Sequence, residues 1–221
     1  MLHSMSDERV LKQDLFGEVR LEADGTASTV VRDTRGARWW LAPLARWLMR
    51  REAAALAALD GIDGVPELVA FDRHTLRRAY LEGQPMHVAR PRDPLYFRAA
   101  ARLLRRLHRA GVCHNDLAKE PNLLVRPDGS PALIDFQLAT CSRTRHRLFR
   151  AAAREDIRHL LKHKRQYLPG QLTQRELDIL ASPAPLSRVW MSVFKPVYLF
   201  ITRRLLGWAD REGAGDRRHE R

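Results

Sequence analysis

Apolar and polar residues alternate at the start of the chain and switch to helical spacing further on. Residues 10–19 and 18–22 read as strands around Gly17, and residues 29–32 form another beyond Asp24-Gly25. A helix is predicted over 46–59, ending at Gly61, and strands return over 65–69 and 76–81. From Pro94 to Arg109, Phe97, Ala101, Leu104 and Leu107 or His108 recur at helical spacing. Arg102, Arg105, Arg106 and Arg109 share the other face of that helix, which reads as a solvated basic face. Residues 123–125 and 132–134 are short apolar strands joined through Pro127-Asp128-Gly129, a turn. Thr173 and Glu176 have the spacing of a capping box, which opens a helix to about Leu180. A last stripe, Trp190, Phe194, Val197, Ile201, Leu205 and Trp208, predicts an apolar helix over 186–209, started or kinked by Pro196. Residues 210–221 are a charged tail expected to be disordered.

Composition narrows the class. Hydrophobic residues make up 45% and charged residues 29% of the 221, which is globular. Two cysteines, Cys113 and Cys141, give no disulfide framework and suit a reducing cytosol. The polar N-terminus predicts no signal peptide, and no apolar run is long enough to span a bilayer. The net charge of +13 comes from 34 arginines against five lysines. Arginine grips phosphate through two parallel N–H donors, so an anionic partner is one reading. A GC-rich genome, which enriches Arg and Ala together, is the other.

The most informative run is residues 114–136. His-Asn-Asp-Leu-Ala-Lys-Glu-Pro-Asn is followed, after strand, turn and strand, by Leu-Ile-Asp-Phe. It gathers Asp116, Asn122 and Asp135 around one hairpin. Phosphoryl transfer from ATP needs such a set: one carboxylate orients the acceptor hydroxyl, while an amide and a second carboxylate hold Mg²⁺ against the phosphates. The order Asp, then Asn, then Asp-Phe resembles the protein-kinase signature. The chain is therefore similar to the protein-kinase-like superfamily over about residues 10–160.

That resemblance implies an α+β bilobal fold forming a single kinase-like domain. An N-lobe of antiparallel sheet and one helix is expected over 10–80, and a mainly helical C-lobe over 84–181. ATP and Mg²⁺ would be its cofactors. Asp116 would accept the proton of the acceptor hydroxyl, and Lys119 would neutralise charge on the transferred group. Asn122 and Asp135 would hold the metal. Phe16-Gly17 looks like the end of a glycine-rich loop, with Lys12 and Asp14 where its earlier glycines would fall. Arg32 falls in the slot of the phosphate-binding lysine, and Glu52 is its expected partner. Leu81 and Glu82 are candidates for the segment that meets adenine. Asp156 resembles the helix aspartate that braces the catalytic loop.

Several departures stand out. Five residues lie between Asp116 and Asn122, one more than in the signature, so the loop must bulge or present Asn122 at a changed angle. Gln137 replaces the usual glycine after Asp-Phe, and no Ala-Pro-Glu lies between Asp135 and Asp156. So short a segment resembles compact members: the RIO-type atypical kinases and the bacterial kinases of lipopolysaccharide-core sugars. The expected acceptor is a hydroxyl-bearing anionic glycolipid of that kind. A serine/threonine protein kinase and a pseudokinase scaffold are the alternatives. The basic segment 143–154 would line the acceptor side of the cleft. The 186–209 helix would either pack on the core or rest on a membrane interface. A cytoplasmic protein follows, with peripheral contact at the inner membrane, and no nucleic-acid partner is expected.

Overall fold

The computed structural model describes residues 7–24 and 27–182. The chain divides into two compact units, Met1–Leu172 and Thr173–Arg221.

The first unit opens with an antiparallel hairpin of β1 (Asp7–Asp14) and β2 (Gly17–Asp24), followed by β3 (Ala27–Asp33). Only Leu15 and Phe16 separate the paired residues Asp14 and Gly17, and the Phe16 N–H donates to Asp14 Oδ1 at 2.8 Å. Gly17 has φ 122°, and a Cβ there would lie 2.1 Å from the Asp33 carbonyl oxygen. Close approach of β3 therefore demands this glycine. Helix α1 (Ala42–Ala58) comes next, with a proline in its first turn, where no intrahelical N–H is lost. It begins four residues before the sequence pattern places it. β4 (Leu68–Phe71) and β5 (Thr75–Ala79) complete a sheet in the order β1-β2-β3-β5-β4, antiparallel throughout. Val30 and Val31 point to opposite faces of β3 and are both buried, so that strand is covered on both sides.

Residues 80–83 lead to β6 (Gln84–Pro85), the single-turn α2 (Met86–Ala89) and α3 (Pro94–Arg109). Asp93 caps α3 by accepting from the Leu95 N–H, and Leu103, Leu104 and Leu107 form its buried stripe. β7 (Val112–Cys113) then runs into the 114–122 loop. After it come β8 (Leu123–Val125), β9 (Pro131–Leu133), β10 (Thr140–Cys141) and α4 (Arg147–Tyr167). β6, β8 and β9 form one small sheet, and β7 pairs with β10. One apolar core runs from Met49 and Leu56 on α1, through Leu76 on β5, to Leu104, Leu133 and Leu160. The sheet-rich and helical lobes of this unit thus share packing. Truncating any of those leucines to alanine removes roughly 2–5 kcal/mol.

In the second unit, α5 (Gln174–Ala181) starts with the expected capping box: Thr173 Oγ1 accepts from the Glu176 N–H, and Glu176 accepts from the Thr173 N–H. The Trp190–Trp208 stripe and the 210–221 tail lie outside the described residues. Among the described residues no helix is long and apolar enough to cross a membrane.

Candidate active site

The loop after β7 is fixed from behind by one buried carboxylate. Asp156, on α4 and 1% exposed, accepts the His114 N–H at 2.8 Å and the Asn115 N–H at 2.9 Å. His108 Nε2 lies 3.1 Å from the same carboxylate. Two further histidines hold neighbouring carbonyls: His163 Nε2 is 2.8 Å from Leu117 O, and His114 Nε2 is 3.0 Å from Ile134 O. Gly111 makes the preceding turn at φ 81°, where a Cβ would lie 2.4 Å from Ser142 O. Hydrogen bonds to a charged acceptor are worth about 1.5–3 kcal/mol each, which suits a loop that must not drift.

That frame presents Asp116. Asn122 Nδ2 donates to Asp116 Oδ2 at 3.1 Å and to its main-chain carbonyl at 2.9 Å, while Lys119 Nζ is 2.9 Å from Oδ2. The extra loop residue is absorbed by a turn from Asp116 to Lys119 and a 3₁₀ turn over Glu120–Asn122. The loop bulges, and Asn122 still reaches Asp116. Burial raises the Asp116 pKa above its ordinary value, and the Lys119 ammonium works against it.

Asp135 follows β9 at φ 64°, a strained left-handed conformation for a residue with a side chain. Gln137 Nε2 donates to its Oδ1 at 2.8 Å. Burial would raise the Asp135 pKa, yet the net shift is downward, because Arg32 first, then the Gln137 hydrogen bond, Lys119 and Arg78 favour the anion. Asp135 is thus a fixed negative charge. The Gln137 that breaks the kinase pattern holds this carboxylate in place.

Arg32 on β3 meets Glu52 of α1, Nε to Oε2 at 3.3 Å, as the resemblance implies. Sequence reading missed the second cation. Arg78 on β5 lies on the other side of Glu52, Nε to Oε1 at 3.3 Å, and is only 9% exposed. Neither contact is aligned as a hydrogen bond, so charge holds the trio together. Burial lowers the Arg78 pKa, partly offset by Glu52 and Asp135, but arginine stays protonated at such a site. The signal was available: Leu76 and Arg78 are two apart in a strand, so a cation shares the face of a core leucine.

Two more residues tie the parts together. Arg51 of α1 donates to Ala139 O at 2.7 Å and Leu138 O at 3.1 Å. Asn115 Nδ2 donates to Leu138 O at 2.9 Å and Thr140 Oγ1 at 2.8 Å. Helix α1 and the catalytic loop therefore grip the same stretch just after Asp135. The remaining expected residues lie further off. Phe16 and Gly17 form the tight β1–β2 turn, against the end of β3. Leu81, half-buried, and Glu82, exposed, sit in the linker between the lobes. None of these four hydrogen-bonds to Asp116, Asn122 or Asp135 among the described residues.

The donor set fits Mg²⁺, a hard cation that takes oxygen ligands. Asp135 is anionic. The Asn122 amide nitrogen is engaged by Asp116, which turns its carbonyl oxygen to other use. His108, Cys113 and Asp156 also cluster, but the Asp156 oxygens accept main-chain N–H groups and burial keeps the Cys113 thiol protonated. That second group is structural.

A two-lobed unit with this carboxylate–amide–carboxylate loop and an Arg–Glu pair under the sheet has the protein-kinase-like fold. The model of the lipopolysaccharide kinase (Kdo/WaaP) family matches residues 74–182, just under half of the chain and the stretch that holds Asp116, Asn122 and Asp135. Among solved structures, the Rio2 kinase from Chaetomium thermophilum is similar at TM-score 0.56 and 20% identity, over 77% of this chain and 62% of that one. The Rio2 kinase–ADP/Mg²⁺–phosphoaspartate complex from the same organism is similar at TM-score 0.54 and 20% identity, over 80% and 61%. The chain spans about three fifths of the length of these kinases. No curated protein sequence matches it.

The Gln137 contact predicts a separable effect. Gln137→Ala should weaken Mg²⁺ affinity roughly 10–100-fold, as loss of a partner that orients a metal ligand does elsewhere. A Mg²⁺ titration of nucleotide turnover, with thermal melting as the control for folding, measures it.

Proposed function

We propose that this chain is a kinase that transfers the γ-phosphoryl group of ATP to an alcohol, with the hydroxyl of an envelope glycolipid, a lipopolysaccharide-core sugar or a close relative, as acceptor. The observation that carries the reading is the Asp116–Asn122–Lys119 cluster beside the anionic, strained Asp135. When bound, Mg²⁺ supplies charge neutralisation between the ATP phosphates. Asp116, held by Asn122, orients the acceptor hydroxyl and takes its proton. Lys119 offers its ammonium to the phosphoryl oxygens in transit. Arg32, braced by Glu52, steadies the phosphates from the sheet side. The match to the lipopolysaccharide kinase family over the catalytic half supports the sugar acceptor.

Likeness to the Rio2 kinases favours a second reading, a protein hydroxyl as acceptor. Incubation with γ-labelled ATP, Mg²⁺ and either rough lipopolysaccharide or soluble protein separates the two. Label in the glycolipid supports the first, and label confined to protein the second. A scaffold without catalysis predicts label in neither and no Mg²⁺-dependent thermal shift with ATP. The 186–209 segment, with Arg188, Lys195, Arg203 and Arg204 beside its apolar stripe, would hold the enzyme on an anionic leaflet at the cytoplasmic face of the inner membrane. Vesicle pelleting of the full chain and of a form lacking residues 186–221 tests that placement.

The raised Asp116 pKa sets the pH dependence. Only its ionised form accepts a proton, so the rate falls as pH drops through its titration. That limb should lie above the ordinary aspartate value. Lys119 holds the pKa down, so Lys119→Met should move the limb to higher pH and lower kcat by about 10²-fold. A pH–rate profile of both proteins reads the two effects together.

A further inference from the structure

Arginines 105 and 109, near the end of α3, lie far in sequence from Arg145 and Arg150. The fold nevertheless brings all four, with His108 and the buried Phe149, around one open surface cavity of about 260 Å³. None of the four guanidinium groups is within ion-pair distance of a carboxylate among the described residues, although acidic residues pair with arginine elsewhere on the chain. The one hydrogen bond tying two of these arginines, Arg145 Nη2 to Arg109 O at 3.4 Å, uses a main-chain acceptor. Four like charges in one hollow repel one another, and a folded chain gains by placing an anion among them. Helix α4 adds the positive end of its dipole, having no acidic residue in its first turn. The volume suits a phosphate group with a sugar-sized body, and a phosphate has oxygens enough to engage several guanidinium forks.

We infer that this cavity is a binding site for a phosphoryl group, borne on a sugar, a lipid or free in solution, distinct from the nucleotide cleft. It backs onto the catalytic loop, since His108 on its wall contacts the Asp156 that holds His114 and Asn115. The site goes beyond the phosphotransferase reading and stands whether or not the chain transfers phosphate.

The test uses full-length protein with Mg²⁺ and a non-hydrolysable ATP analogue at saturation, so that a phosphate probe cannot report on the cleft. One arm titrates inorganic pyrophosphate calorimetrically. The other pellets the protein with phosphatidylcholine vesicles, with and without phosphatidic acid. The Arg105→Gln/Arg150→Gln variant should bind at least about tenfold more weakly, because each lost fork removes charge-assisted bonds. Arg102→Gln, an exposed position on α3 outside the cavity, should change binding less than about twofold. A variant-sensitive loss with pyrophosphate assigns a soluble phosphate, and one confined to phosphatidic acid vesicles assigns a lipid-borne phosphate. Binding in neither arm, or binding that the double variant leaves intact, overturns the inference.

Discussion

Asp135→Ala should lower ATP- and Mg²⁺-dependent phosphoryl transfer by about 10³-fold or more, since it removes both a metal-holding carboxylate and the charge that faces Arg32. Asp135→Asn isolates the cause. It keeps an oxygen for Gln137 and the shape of the strained turn, so it should fold like the parent yet remain inactive. A labelled-phosphate assay beside a melting curve measures both. Undiminished turnover in Asp135→Ala would falsify the assignment of this residue.

The second large effect is on folding. Glu52 is fully buried, with Arg32 and Arg78 each 3.3 Å from its carboxylate. Glu52→Gln leaves two cations facing each other without an anion between them. Removing one partner of a buried charge group costs about 3–5 kcal/mol. For a unit of this size each kcal/mol lowers Tm by roughly 2–4 °C, so a fall on the order of 10 °C is expected. Adding Arg78→Met in the same chain should restore part of that loss, because the orphaned cation is gone. If the double variant melts no higher than Glu52→Gln alone, then the glutamate contributes packing and not charge.

Both effects fall on residues that differ in how visible they were. The grouping of Asp116 with Asn122 could be read directly, because residue order along a hairpin is a local property of the chain. Helix α3 was equally plain, whereas the strand expected over 10–19 breaks at the Leu15-Phe16 turn into β1 and β2. Arg78 and Gln137 were harder. One acts through a strand pairing and the other through a side-chain hydrogen bond, and neither shows in a motif defined by main-chain position. Gln137 in particular reads as a broken signature, while in the fold it hydrogen-bonds the Asp135 carboxylate. The basic face of α3 read as ordinary solvated surface, and the basic segment 143–154 as the acceptor side of the cleft. Only tertiary structure puts Arg105 and Arg109 beside Arg145 and Arg150.

The Arg51 bridge bears on how often the chain can be idle. Its guanidinium joins α1 to the carbonyls of Leu138 and Ala139, directly downstream of Asp135. Swinging α1 outward would carry Glu52 away from Arg32 and break these bonds together. At about 1.5–3 kcal/mol for a hydrogen bond from a charged donor, such an excursion occupies on the order of a few per cent of molecules or fewer. The resting population therefore keeps α1 and the stretch after Asp135 joined before any ligand arrives.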